Sequence, residues 1–285
     1  MAALSPVVLI TGASSGIGAA LARRFAARGH DLVLVALPEP QLAALAEEIA
    51  ATGRNPPLVV PIDLTGINAT GRLAQILAAH GVEPEIIVNS AGFGLFGPAA
   101  ELDRNEQLAM IDLNVRVLTD LSLRFVDSLA RHRGGVLSIA SVSSFVPVPS
   151  MAVYGATKAY VMSLSEALHR ELAPKGVRMT ALCPGNVRTG FQMRAGIDGG
   201  RVRGFAFSSP EEVARQGYDG FMRGKRVVVP GFGSKLITLA TRVLPRALFL
   251  PIIASHLKRV RRLPPVRPAT VPAVAAGAAP AESFP

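Results

Sequence analysis

The sequence predicts an α/β fold: a doubly wound, mainly parallel sheet of about seven strands flanked by helices, with a C-terminal helical extension. Three observations carry this prediction. The chain has 285 residues, of which 49% are hydrophobic and 18% charged, so it can bury a full core. Strand-like and helix-like stretches alternate from the start, which points to right-handed βαβ units. The strand-like stretches are continuous apolar runs without polar alternation, as in a sheet covered on both faces.

Val7 to Thr11 is a β-branched run, and the stretch from Gly16 to Arg28 has helical spacing (Ile17, Ala20, Leu21, Arg24, Phe25) that stops at Gly29. Asp31 to Ala36 is the next strand, and a helix from Pro40 to Ala51 ends at Gly53. Leu58 to Ile62, Glu85 to Asn89, Gly135 to Ser141 and Val177 to Cys183 continue the strands, with helices near 70–80, 104–131 and 153–173 between them. The pattern then loosens through Gly196, Gly199, Gly200 and Gly204, until Ser209-Pro210-Glu211-Glu212 opens a helix with an N-cap, a proline in its first turn and acids beside the positive end of the dipole. Val227 to Val229 is the last strand, and helices over about 234–243 and 246–259 follow it. Residues 264 to 285 hold six Pro and seven Ala with almost no large apolar side chain, too little to offset the entropy of ordering, so a disordered tail is expected.

Composition excludes several function classes. The single cysteine, Cys183, cannot form an intramolecular disulfide, which fits a reducing cytoplasm. Neither paired thiols nor the scattered histidines offer metal-ligand spacing, so no metal is expected. The N-terminus lacks an export signal, and the apolar stretch from Leu236 to Leu257 is broken by Arg242, Pro245, Arg246 and Pro251, short of a spanning helix. The formal charge of +10 is local: residues 1 to 200 are balanced, and residues 201 to 285 carry the whole excess. That basic block has few aromatic residues for base stacking, which argues against nucleic acid. Lys235, Arg242, Arg246, Lys258, Arg259, Arg261 and Arg262 beside apolar segments leave two readings: a helical cap on the domain or a dimer partner, or a peripheral contact with an anionic membrane surface.

Immediately after the first strand, Thr11-Gly12-Ala13-Ser14-Ser15-Gly16-Ile17-Gly18 runs into a helix. Glycines let a backbone approach a pyrophosphate, and a helix N-terminus offers unpaired N–H groups and partial positive charge to it. The spacing is G-x-x-x-G-x-G. An isolated glycine triplet also makes ordinary strand-to-helix turns; its place between the first strand and first helix favours a nucleotide.

Tyr154 and Lys158, four apart on a predicted helix, share one face. Acid–base work near neutrality requires lowering a phenol from a pKa of about 10 by roughly three units, about 4 kcal/mol. An ammonium at about 4 Å and an effective dielectric of 20 supplies about that much. Taken alone, the pair also suits an unremarkable surface face.

In order along the chain, TGASSGIG, Asn89-Ser90-Ala91-Gly92, Asn114, Ser141 thirteen residues before Tyr154, Tyr-Gly-Ala-Thr-Lys and Pro184-Gly185 resemble the short-chain dehydrogenase/reductase family over about residues 5 to 230. The resemblance implies a Rossmann-type dinucleotide-binding and catalytic domain over 1–232, followed by a basic, apolar helical extension over 233–263. It implies that Tyr154 is the general acid or base, that Lys158 lowers its pKa and holds the nicotinamide ribose, that Ser141 orients the substrate oxygen, and that Asn114 positions a relay water. For the cofactor it implies a pyrophosphate turn of Gly12, Ser15, Gly16, Ile17 and Gly18, with Asp63 and Leu64 at the adenine. Asn89, Ala91 and Gly92 would border the adenosine ribose, and Pro184, Gly185, Val187 and Thr189 would close over the nicotinamide.

Two departures stand out. Ser90 replaces a frequent asparagine, and the end of the second strand, Val35-Ala36-Leu37-Pro38-Glu39, carries neither the family's acid for the free 2′-hydroxyl of NAD nor its arginine for the 2′-phosphate of NADP; Glu39, 21 residues after Gly18, is near the place of an NAD-selecting acid but follows a proline and equally suits the start of the next helix. The choice between NAD and NADP therefore stays open. The expected activity is interconversion of a carbonyl and a secondary alcohol by hydride transfer. Phe93, Leu95, Phe96, Phe145, Val146, Met151, Phe191, Met193, Phe205 and Phe207 would suit a small lipophilic substrate, with a keto-lipid included, or would simply pack helices or a subunit interface. Family resemblance implies a homo-oligomer, a dimer or tetramer. The rival from another class is a catalytically silent nucleotide-binding regulatory or scaffold protein.

Overall fold

A computed structural model describes residues 4–197, 207–243 and 245–258. Expectations for the tail 264–285, for Phe205, for Gly199, Gly200 and Gly204 and for Arg259, Arg261 and Arg262 lie outside the described residues. Seven strands form one parallel sheet: β1 (Ser5–Thr11), β2 (Leu32–Ala36), β3 (Leu58–Pro61), β4 (Val82–Asn89), β5 (Gly135–Ile139), β6 (Arg178–Leu182) and β7 (Val227–Val228), in the order β3-β2-β1-β4-β5-β6-β7. The order runs outward in both directions from β1 and β4, so the crevice at their carboxyl ends is the topological switch point where such sheets bind ligands.

The helices are α1 (Gly16–Ala27), α2 (Pro40–Ala51), α3 (Ala69–Ala79), α4 (Arg104–Ile111), α5 (Leu118–Arg124), α6 (Val126–Arg131), α7 (Ala152–Glu171), α8 (Phe191–Ala195), α9 (Pro210–Met222), α10 (Phe232–Val243) and α11 (Arg246–Lys258). None of the described helices is long and apolar enough to cross a membrane. Alternate residues of the central strand feed two cores. Val8 and Ile10 face α1, α2 and α9, whereas Val7 and Leu9 face α3, α5, α6 and α7. This two-sided burial is why the strands read as continuous apolar runs. Phe25 of α1 is fully buried and meets Tyr218 of α9 edge-on, ring centroids 4.9 Å apart. Phe25→Ala is expected to destabilise the fold by about 3–5 kcal/mol, measurable by denaturant unfolding; a cost under about 1 kcal/mol would show that this face repacks.

Three local departures from the sequence pattern shape the site. The predicted helix 104–131 is divided: a π-helical turn over Asp112–Val117 joins α4 to α5, and the chain bends again at Phe125. The fifth strand ends at Ile139, not Ser141, and Ser141 instead caps a 3-10 turn over Val142–Ser144. β4 begins at Val82, ahead of the predicted Glu85, because a register shift between Val7 and Val8 accommodates Pro84 within the ladder.

Candidate active site

A cavity of about 820 Å³ opens at the switch point. One end is built from the turn between β1 and α1. Gly12 has a φ of 64°, in the left-handed region, and a Cβ there would stand 2.8 Å from the Ala91 backbone. Thr11 joins the two strand ends, its hydroxyl donating to the Val88 carbonyl and accepting from the backbone N–H groups of Ser90 and Ala91, both at 3.1 Å. The first turn of α1 has no side-chain cap and no acidic residue, so its N–H groups are left for a ligand. Ser15, Gly16 and Ile17 present that terminus to the cavity. A glycine cradle that a Cβ would fill, an uncapped helix terminus and this volume fit a dinucleotide.

At the opposite end α7 brings Tyr154 and Lys158 to the cavity wall, with Ser141 beside them. All three are buried, at 8%, 6% and 8% exposure. The Lys158 ammonium donates to the Ile139 carbonyl at 2.7 Å and lies 5.9 Å from the Tyr154 ring centroid. Ser144 ties the region together, accepting from the Ser141 backbone N–H and donating to the Lys158 carbonyl at 2.7 Å. Phe191 of α8 packs on the Tyr154 ring with centroids 5.3 Å apart.

The expected lowering of the Tyr154 pKa is not found. Burial pushes the phenol up to about 12, against a smaller opposing hydrogen bond from Ser141. Burial also pushes Lys158 down to about 8. The charge arithmetic supplied the ammonium but omitted the desolvation that penalises phenolate and ammonium alike. In this state Tyr154 is protonated at neutral pH and positioned to donate.

Of the residues expected at the cofactor, Gly12, Ser15, Gly16, Ile17, Asp63, Leu64, Ala91, Gly92, Pro184, Gly185, Val187 and Thr189 line the cavity. Asn89 does not: its amide turns away and donates to Ser122 at 2.9 Å. Gly18 also stands behind the wall, where a Cβ would collide with the Gly12 carbonyl. Asn114, fully buried in the π turn, donates to the Phe93 carbonyl at 3.0 Å and to Thr157 at 3.2 Å while accepting from the Phe93 N–H. Its amide thus fastens the loop after β4 to α7. Among the apolar candidates, Phe93, Leu95, Met151, Phe191 and Met193 line the cavity, whereas Phe145 lines a separate groove beside β7.

Glu39, which the sequence suits equally to a ribose-binding acid and to the start of a helix, lies on the cavity wall with Leu37. Ser14, Thr65 and Asn186 were passed over, although each directly adjoins a residue that the resemblance marked.

Residues 6–198 match the family model described as short chain dehydrogenase. An uncharacterized oxidoreductase of Staphylococcus epidermidis is 35% identical over 195 residues, 68% of this chain and 82% of the relative. A solved short-chain dehydrogenase from Sphingobium yanoikuyae in complex with NADPH superposes with a TM-score of 0.73 at 35% identity, covering 83% of this chain and 93% of that one. A bulky-bulky ketone specific alcohol dehydrogenase from Comamonas testosteroni superposes with a TM-score of 0.69 at 28% identity, covering 86% and 97%.

Proposed function

The chain belongs to the short-chain dehydrogenase family, and on that premise we propose that it is an NAD- or NADP-dependent oxidoreductase that interconverts a lipophilic ketone and its secondary alcohol. The observation that carries this reading is convergence: Tyr154, Lys158 and Ser141 lie on the wall of the same cavity whose other end is the glycine turn. The nicotinamide, when bound, supplies or accepts the hydride. The Tyr154 hydroxyl gives its proton to the carbonyl oxygen, and the Ser141 hydroxyl donates a hydrogen bond to that oxygen as charge develops on it. Lys158, held by the Ile139 carbonyl, keeps further donor hydrogens for the ribose and offers its charge to the phenolate left by proton transfer. Asn114 acts by positioning, since it fixes the Phe93 backbone that borders the cavity.

Substrate class rests on the apolar part of the wall, Phe93, Leu95, Met151, Phe191 and Met193. The bulky-ketone specificity named for the Comamonas enzyme supports the same class. Self-association belongs to the proposal as well: Leu108 and Ile111 of α4, Leu123 of α5 and Tyr160 of α7 are exposed and offer apolar surface to a second copy. The extension serves as a cap at the catalytic end, because Ser234 of α10 packs against Gly185 while Phe232, Leu236 and Leu239 face outward.

Thermal melting with NADH and NADPH, titrated separately, tests the cofactor. A ligand at 100 times its Kd stabilises by about 2.7 kcal/mol, so a rise of roughly 5–10 °C is expected with at least one of them. No rise with either at millimolar concentration would refute the oxidoreductase reading.

A further inference from the structure

Resting on the dinucleotide reading, we infer that Arg194 of α8 is a phosphate-recognising cation of the cavity. Glu39, Asp63 and Glu106 line the cavity as carboxylates, and among the described residues Lys158 and Arg194 are its cations. Lys158 is fixed to Ile139 beside Tyr154, at the catalytic end. That leaves Arg194 for the phosphates of the nucleotide.

Its placement suits the role. The guanidinium carbon stands 4.8 Å from the centroid of Phe93, which directly follows the Ala91-Gly92 lip. Burial lowers the Arg194 pKa, and the charges of Glu39 and Asp63 act against that from the adenosine end. Among the described residues no carboxylate reaches ion-pair distance of it. A half-buried guanidinium over a ring, with no direct counter-ion among the described residues, is well disposed to a phosphate, with which its planar fork pairs bidentately. The same short helix carries Phe191 against Tyr154, so a phosphate seated on Arg194 also steadies the packing of the catalytic tyrosine.

The chemistry could come from the diphosphate or from a 2′-phosphate, and two probes separate them. Calorimetric titration of wild type, Arg194→Gln and Arg194→Lys with ADP and with 2′,5′-ADP is the test. Arg194→Gln is expected to weaken binding about 10- to 100-fold, the worth of a charge-assisted hydrogen bond, with Arg194→Lys recovering a substantial part. Weakening of both probes assigns Arg194 to the phosphates the two share, and weakening of 2′,5′-ADP alone assigns it to NADP selection; each supports the inference. The unliganded Arg194→Gln protein is expected to melt no lower than wild type, because it loses a half-buried charge that has no ion pair among the described residues. Binding of both probes by Arg194→Gln with wild-type affinity, or no recovery in Arg194→Lys, overturns the role. If wild type itself binds neither probe nor NADH nor NADPH, the dinucleotide reading is what fails.

Discussion

Tyr154→Phe is expected to lower kcat about 10²- to 10⁴-fold, the usual contribution of a positioned acid or base, while leaving cofactor affinity within about twofold. The substitution removes one hydroxyl. The ring keeps its volume and its packing on Phe191 at 5.3 Å, and Lys158 keeps its bond to Ile139. Ser141 loses a partner but still accepts from the Ser143 backbone at 3.1 Å, so stability should change by less than about 1 kcal/mol. Steady-state rates with a ketone that the wild type reduces, together with fluorescence titration of the reduced cofactor, give both readouts. In free energy the loss is about 3–5 kcal/mol of transition-state stabilisation. Unchanged turnover would remove Tyr154 from the chemistry. A wild type that binds cofactor yet reduces no carbonyl in a broad ketone screen would instead favour the silent regulatory protein.

Gly18→Ala is expected to weaken cofactor binding at least about 100-fold and to destabilise the fold by about 1–3 kcal/mol, the typical cost of overpacking. The added Cβ would overlap the Gly12 carbonyl oxygen and stand 2.9 Å from the Gly12 carbonyl carbon, and backbone there cannot yield as a flexible side chain would. Relief requires α1 to move away from the end of β1, which takes its N–H groups out of line with the phosphates. Gly233→Ala is the control. In α10 its Cβ would meet nothing within 4 Å, so neutral or slightly stabilising behaviour is expected. Melting temperature and NAD(P)H affinity of the two variants decide the point; a Gly18→Ala protein that binds like wild type would show that the turn relaxes at no cost.

How much of this was legible beforehand differs from residue to residue. Both ends of the cavity were marked by motifs whose spacing has a direct physical meaning, so Gly12 to Ile17 and the Tyr154–Lys158 pair could be named without coordinates. Asn89 and Asn114 were placed at the correct strand end and helix, but their amide directions depend on Ser122, Phe93 and Thr157, up to 43 residues away in the chain. In sequence Arg194 is simply an arginine in a Gly-containing loop, because nothing local says that Phe93 stands under it. Periodicity predicts one helix over 104–131 because it does not register the extra residue that the π-helical turn over Asp112–Val117 takes up.

By itself the sequence determined the sheet, its helices and the glycine turn between β1 and α1, since apolar period, capping residues and glycine spacing act over a few residues and survive as pattern. Tertiary structure alone decided the electrostatics of the site. Whether Lys158 lowers the Tyr154 pKa depends on how deeply both are buried and on what else the ammonium touches, and in this fold burial holds the phenol near 12 while Ile139 takes a hydrogen bond from the ammonium. Desolvation is a property of everything packed around a group, so no spacing along the chain encodes it.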